Sequence, residues 1–573
     1  MMKYILTALI TVFLLANQFA QAQFLPHGLT EAEKTMDYQP PQAVGFTTPP
    51  SSPVRTPAEW EEIDGLCVRW EGTWSRSVLR NIVKYAKEEC TVYVVTENQN
   101  SVVSHLNQYG IDQNNIVFVD EPSNSIWFRD YGQWNVYTND VDSLLWVDWI
   151  YNRPRPYDDV IPVALADLLD IPLYQTLTSP NDLVNTGGNF MVDGFGTAFA
   201  SQLILEENDA TNSFGTSNHS ETEVDQIMQN FMGIERYIKM PTLPYDGIHH
   251  IDMHMKLLDE ETLLIGEYPT GTADGPQIES NLNYVLNNFN SVFGTQYKII
   301  RIPMPPEGGQ FPNQNGDYRT YTNSVFVNKT ILVPIYEEQW DTTALRIYRE
   351  ALPGYKVVGI DCNEIITASG AIHCITKAVS SDDPLLISHQ PLHNQVYSAT
   401  DYDVNALVQH ADGISNVTVF WTTDTTAGYT SVAMTLTNPT ENTWTGFIPY
   451  QQGGQEVFYY IHGQATNGKE QVRPITAPSG YWKFKVLSSP TEIAELELLV
   501  GVYPNPSFGQ FNINFERTEN VDYAIFDVTG KSMMNGNSSS KSFSVNLEDA
   551  PSGLYLLKLE WEGRTKTIRL QVL

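Results

Sequence analysis

At 573 residues the chain is too long for one ordinary core, and several domains are expected. Its 33 basic and 67 acidic residues leave a formal net charge of -34, which repels phosphate backbones and excludes nucleic acid as a partner. Such a surface attracts cations, although solubility alone accounts for most charge of this kind. A hydrophobic content of 42%, with 33 prolines and 37 glycines, fits buried cores joined by many loops rather than a coiled coil.

At the N-terminus, Lys3 precedes the apolar run Ile5 to Ala16, and Ala20-Gln21-Ala22 places small residues where a signal peptidase reads. This predicts a signal peptide over 1–22 and a mature chain starting near Gln23, outside the cytoplasm. The run is too short for a comfortable membrane span, and no later stretch reads as transmembrane. Residues 23–54 carry Pro40, Pro41, Pro49, Pro50 and Pro53 without periodicity and predict an extended leader. Over 55–385, strand-like runs (Cys67 to Trp70, Val92 to Val95, Ile116 to Val119, Leu144 to Val147, Leu263 to Ile265) alternate with helical periodicity at Ser77 to Tyr85 and Ile278 to Phe289. That alternation predicts an α/β domain. Over 386–488 the runs Val417 to Trp421, Ser431 to Thr435 and Val457 to Ile461 are separated by turn residues, which predicts an immunoglobulin-like β-sandwich.

Residues 489–573 hold Val502-Tyr503-Pro504-Asn505-Pro506, the turn Thr529-Gly530-Lys531 and Ser552-Gly553-Leu554-Tyr555, and predict a small second β-sandwich. The order YPNP, GK and SGLY resembles the C-terminal sorting domains of type IX secretion. The resemblance implies a secreted or outer-membrane surface-attached protein whose partner is the type IX machinery.

The four cysteines are Cys67, Cys90, Cys362 and Cys374. In an exported protein two disulfides would be the ordinary reading, with Cys67 to Cys90 as one pairing. A nucleophilic thiol would have to remain unpaired.

Four motifs carry candidate chemistry. In Ile126 to Gly132, Asp130 can hold two guanidinium hydrogens and Trp127 can cover a planar cation; pairing of Asp130 with Arg129 is the plainer alternative. Thr186-Gly187-Gly188-Asn189 lets backbone approach a ligand, or simply turns. In His249-His250-Ile251-Asp252, a strand would put His250 and Asp252 on one face, joining an acid–base group to a carboxylate. His249 would then point away, and His249, His250 and His254 match no strong zinc spacing. In Ser369 to Thr376, Cys374 follows a Gly-led turn and can open to a pocket, its thiolate favoured by a nearby cation. A buried, inert cysteine is the alternative.

Taken together, WFRD-YG, GGN, HID and G-IHC-T resemble, in that order, the agmatine deiminase and bacterial peptidylarginine deiminase family over residues 55–380. The resemblance implies a five-bladed α/β propeller with pseudo-fivefold symmetry. It also implies Cys374 as nucleophile, His250 as general acid and later base, and Asp130 and Asp252 as grips on the guanidinium. It calls for no redox cofactor and no catalytic metal. Arg153 and Arg155, two apart in Val147-Asp148-Trp149-Ile150-Tyr151-Asn152-Arg153-Pro154-Arg155, can clamp a carboxylate or pair with Asp158 or Asp159. This stretch is similar to the NRPR segment of bacterial peptidylarginine deiminases, which implies recognition of a C-terminal carboxylate and puts Asp148 and Asn189 on the substrate side with Trp127. Tyr321 to Ser324 resembles their YTNS segment and implies a supporting role for Asn323. Gly247 departs from the pattern, standing where those enzymes carry a bulky aromatic. The expected activity is hydrolysis of peptidyl-arginine to citrulline and ammonia. The alternatives are agmatine deimination, amidine transfer, and a non-catalytic surface adhesin.

Overall fold

A computed structural model describes residues 25–36, 38, 40–71, 74–397 and 400–488, and most of 500–572 (500–503, 505, 507, 509–515, 520–540, 542–547, 549–561 and 564–572). The expected signal peptide lies outside the described residues, as do Pro504 and Pro506 of the tail motif. No helix among the described residues is long and apolar enough to cross a membrane.

Between residues 63 and 380 one pattern occurs five times: an antiparallel pair of strands, a helix, and a third strand parallel to the second. The first unit has strands Trp134–Thr138, Leu144–Tyr151 and Leu173–Thr176 with helix Ile161–Leu169. The second has Met191–Val192, Thr197–Ser201 and Arg236–Met240 with helix Glu221–Met232. The third has Met255–Asp259, Thr262–Glu267 and Lys298–Pro303 with helix Gly275–Asn288. The fourth has Val325–Val327, Thr330–Ile335 and Lys356–Asp361 with helix Glu338–Ala351. The fifth joins the two ends of this region, for Thr376–Ser380 pairs antiparallel with Ile63–Arg69, which continues through helix Arg76–Ala86 to parallel strand Thr91–Val95. A helix between parallel neighbours is the short route that returns the chain to the same edge.

Local sequence explains these elements. Helix Arg76–Ala86 buries Val78, Leu79, Ile82, Val83 and Ala86, one stripe of a 3.6-residue period. Helix Glu221–Met232 starts at a reciprocal cap between Ser220 and Glu223 and stops at Gly233, whose φ of 69° suits glycine. The central strands, covered on both faces, are continuous apolar runs; all eight residues of Leu144–Tyr151 are buried.

From Leu386 to Leu487 two sheets, antiparallel except where Gln395–Val396 pairs parallel with Trp482–Leu487, face each other across Val404, Val417, Val419, Tyr459, Ile461 and Phe484. Strand Glu456–Ala465 alternates buried and half-buried positions, as a strand with one face on a core must. The run expected at Ser431 to Thr435 is broken at Met434: Thr430–Ala433 pairs in one sheet and Thr435–Asn438 in the other. A second two-sheet unit runs from Val500 to Val572 around Phe511, Ile513, Ile525, Leu557 and Leu559, and Gly530 at φ 85° lies in the expected turn.

The expected leader is docked on the α/β domain. Phe46 bridges to Tyr174, Val54–Arg55 pairs with Thr138 and Tyr137, and the His27 N–H donates to the Ala368 carbonyl at 3.2 Å. All four cysteines are buried free thiols, so the disulfide alternative is not realised and Cys374 is unpaired.

Candidate active site

The fold places chemistry at one recurrent position, just before the first strand of each unit. Asp130 lies in the helical turn Phe128–Tyr131, Gly188 and Asn189 in the turn Gly187–Asn189, and Asp252 in Ile251–Met253. Asn323 precedes Val325–Val327, and Cys374 lies in the turn His373–Ile375 before Thr376–Ser380. Five segments remote in sequence therefore converge.

Cys374 is fully buried. Asn323 Nδ2 donates to its Sγ at 3.1 Å, and Asp252 Oδ2 lies 3.7 Å from the same sulfur. Asn323 Oδ1 accepts from the backbone N–H of His373 at 3.0 Å, fixing the turn that carries the thiol. Across the site Asp130 Oδ1 lies 3.7 Å from His250 Nδ1 and accepts from the Gly188 N–H at 3.3 Å. Thr186 Oγ1 is 3.3 Å from His250 Nε2. A Cβ on Gly188 would overlap His250, and one on Gly370 would overlap Trp127 and crowd Cys374, so both glycines are required by close approach. His250 Nδ1 and Asp252 Oδ1 are buried without a hydrogen-bond partner and are open to a further polar group.

The electrostatics follow from burial. Burial, then the charges of Asp252 and Asp130, push the Cys374 thiol well above its ordinary value. Burial pushes His250 down to about 3, against the pull of Asp130. For Asp130 burial opposes ionisation, but His27 and His250 outweigh it and hold the carboxyl below the usual range. A protonated His250, which could have served as the nearby cation favouring the thiolate, is thus disfavoured.

Several residues sit differently from expectation. His250 and Asp252 are not two positions of one strand: His250 is extended and Asp252 belongs to the following 3-10 turn. The turn sends His250 towards Asp130 and Asp252 towards Cys374, which a strand would not do. His249 has φ 59°, and its buried Nδ1 has no partner. Arg129 pairs with Glu59 at 3.0 Å rather than with Asp130. Asp148 accepts from Gln175 Nε2 at 2.9 Å and is not brought into the group around Cys374. Asn189 Oδ1 accepts from the Ser201 N–H at 2.8 Å, so it holds its turn. Arg155 pairs with Glu33 at 2.7 Å, while Asp158 accepts from the Ser125 hydroxyl and the Asn124 and Ser125 backbone. A Cβ on Gly247 would meet open space, so the departure there leaves room.

Sequence reading missed two parts. One is a buried relay in which His373 Nδ1 meets Asp252 Oδ2 at 2.7 Å and His373 Nε2 meets Glu59 Oε1 at 2.5 Å, with Lys256 on Glu59 at 2.7 Å. The only sequence signal for it was His373 beside Cys374. The other is His27, whose ring bonds Asp130 and stacks on Trp127, with ring centroids 4.3 Å apart. Nothing in an aperiodic leader announced it. His27, Asp130 and His250 offer ligand atoms within 4.8 Å of one another, the one group of three among the described residues with the spacing to hold a metal ion.

Residues 55–379 match the family model of Porphyromonas-type peptidyl-arginine deiminases, and 501–572 match that of secretion system C-terminal sorting domains. A relative from Mycoplasma capricolum, assigned as an agmatine deiminase, is 25% identical over 58% of this chain and 97% of its own length. A Porphyromonas gingivalis structure assigned as an arginine deiminase is 19% identical, covering 57% of this chain and 99% of its own, with a TM-score of 0.50. The agmatine deiminase of Enterococcus faecalis is 20% identical, covering 60% of this chain and 99% of its own, also at 0.50. The sorting domain makes the protein secreted or attached to the outer-membrane surface. The chain belongs to the Porphyromonas-type peptidyl-arginine deiminase family, hydrolases of the C–N bonds of linear amidines.

Proposed function

We propose that the protein hydrolyses the guanidinium of peptidyl arginine to citrulline and ammonia, favouring arginine at a peptide C-terminus. The observation that carries this reading is a free, buried thiol with two carboxylates, an imidazole and a tryptophan face converging from distant segments.

Asp130 and Asp252 hold guanidinium nitrogens while Trp127 covers the cation. The bound positive charge offsets the carboxylates that keep Cys374 protonated, so the thiol passes its proton to neutral His250 and attacks the guanidinium carbon. The C–N bond breaks as His250 returns that proton to the departing nitrogen, and ammonia leaves a thiouronium on Cys374. His250 then takes a proton from water. Hydroxide adds to the carbon, and the C–S bond breaks with its electron pair going to sulfur. His250 gives the water-derived proton to the thiolate, and the hydroxyl proton leaves to solvent as the ureido C=O forms, so the thiol and neutral His250 are restored. Asn323 orients the thiol, and Asn189 supports the glycine turn under His250.

Arg153 and Arg155 belong to the substrate side, with Asp148 on the adjoining strand. Arg155 already carries a carboxylate, that of Glu33, which favours a peptide C-terminus over the distal amine of agmatine. The name borne by the Mycoplasma relative supports agmatine as a second reading. The recurrence of one strand–helix unit supports a five-bladed propeller with pseudo-fivefold symmetry over 55–385, and the two-sheet packing supports an immunoglobulin-like domain over 386–488 before a sorting domain over 489–573.

The test is turnover of a peptide ending in arginine, its C-terminal amide, and agmatine, read as citrulline-type product and ammonia. The free-acid peptide should be preferred, and Cys374→Ser should lower its turnover by a factor on the order of 10^3 or more. Faster turnover of agmatine would transfer the assignment to a small-molecule deiminase, and product without ammonia would indicate amidine transfer.

A further inference from the structure

Residues 25–36 occupy the place where a substrate arginine would lie. The His27 ring is fully buried, lies within 10° of parallel to Trp127, and meets the His250 ring edge-on at 4.8 Å. One ring nitrogen bonds Asp130 and the other lies 2.8 Å from the Ser369 carbonyl. Both partners are acceptors, so the ring turns its in-plane nitrogen edges to them under an aromatic face, where a guanidinium would turn its N–H edges. The main chain is held as well. Trp127 Nε1 donates to the Leu25 carbonyl at 3.0 Å, Arg153 Nε to that of His27 at 3.1 Å, and Arg155 to that of Pro26 at 2.8 Å. Glu33 places its carboxylate on Arg155 at 2.7 Å. Burial opposes ionisation of that carboxyl, but its bond to Arg155 outweighs this and holds it lower than usual. One short segment thus engages Asp130, Trp127 and both arginines assigned to the substrate.

We propose that residues 25–36 are an intramolecular substrate mimic, with His27 in the guanidinium subsite and Glu33 in the carboxylate subsite, and that the secreted enzyme is latent until this segment leaves. The segment also marks the cleft as a peptide-binding site, since it is held mainly through backbone carbonyls and carries a carboxylate at one end. Its sequence, Leu25-Pro26-His27-Gly28, contains no arginine, so the enzyme cannot convert its own plug. A substrate that must displace the segment binds with an affinity reduced by the fraction of molecules that are open.

The proposal rests on the deiminase reading, and two measurements on the full secreted chain separate the two. The first is kcat/KM on a peptide ending in arginine; the second is the alkylation rate of Cys374 by iodoacetamide, read by peptide mass mapping. In His27→Ala both should rise by about tenfold or more, and Glu33→Gln should raise both by a smaller factor. The variant His27→Arg would carry a true guanidinium into the subsite, and position 27 should gain about one dalton as =NH becomes =O. Rates in His27→Ala equal to those of the parent would overturn the plug, whatever the substrate. Faster alkylation in His27→Ala with no ureido product from any substrate or variant would leave the plug standing and remove the deiminase reading.

Discussion

Cys374 sits where two carboxylates discourage its ionisation, so its reactivity in the absence of substrate is a direct measure of the site. With the thiol well above its ordinary value, the thiolate fraction grows about tenfold per pH unit across the neutral and mildly alkaline range. Alkylation of Cys374 in His27→Ala should therefore climb from pH 7 to pH 9 without a plateau. A plateau near pH 7 would mean that a resident cation activates the thiol. Glu59 is the other residue whose change is informative. Burial opposes its charge, but His373, Lys256 and Arg129 hold it well below the ordinary carboxylate range. Glu59→Gln leaves Lys256 and Arg129 in the interior without their counter-charge, which should cost about 3 kcal/mol in urea unfolding. It should also lower kcat more than it raises KM, because the His373 bond that orients Asp252 loses its other end. The four motifs were legible because guanidinium chemistry demands distinctive residues; Glu59 was not, since a lone glutamate near the start of the domain carries no pattern.

Elements were read best where a face is buried. The runs at Cys67 to Trp70, Val92 to Val95 and Leu263 to Ile265 lie in or beside strands, and the periods at Ser77 to Tyr85 and Ile278 to Phe289 coincide with helices. A strand through His250 and Asp252 failed for a physical reason: hydrogen-bonded pairing starts only at Met255, and the preceding residues turn to aim side chains at two parts of the site. The docked leader stayed hidden because it binds through main-chain carbonyls and single side chains, which impose no hydrophobic period. Helix Glu221–Met232, which the sequence reading did not single out, starts at a cap formed by Ser220 and Glu223 three residues on. Ser220→Ala removes the acceptor for the Glu223 N–H and should cost about 1 kcal/mol while leaving kcat/KM unchanged. Lost activity at unchanged stability would mean that this helix end communicates with the His250 segment.

For the whole molecule the net charge of -34 matters less to pH-dependent stability than the acids buried inside. Burial, the leading cause in each case, raises Glu71, Asp148, Glu207 and Glu267 to about 7 and Asp246 to about 8. Unfolded, these groups titrate near 4, so the folded chain holds protons that the unfolded chain has lost. Their stabilisation is full below about pH 4 and disappears as pH rises through their folded values. Burial drives His250 to about 3 and His254 and His389 to about 4, and these act in the opposite sense, losing stabilisation as pH falls below about 6.5. Above pH 6.5 the histidines are neutral in both states and drop out. Lys377, pushed well down by burial, then opposes the acids, as do Lys256 and Lys566, which burial also lowers. The window from pH 6.5 to 8.5 is therefore governed by the carboxyls, with a slope of about 1.4 kcal/mol per pH unit for each proton of difference. The unfolding temperature should fall by several degrees across that window. Replacing Glu207, which accepts from Asn152 Nδ2 at 2.7 Å, by Gln should make the decline shallower, since the amide cannot ionise. A flat or rising unfolding temperature over the same window would mean that water or counter-ions reach these carboxyls and that they are charged in the folded protein.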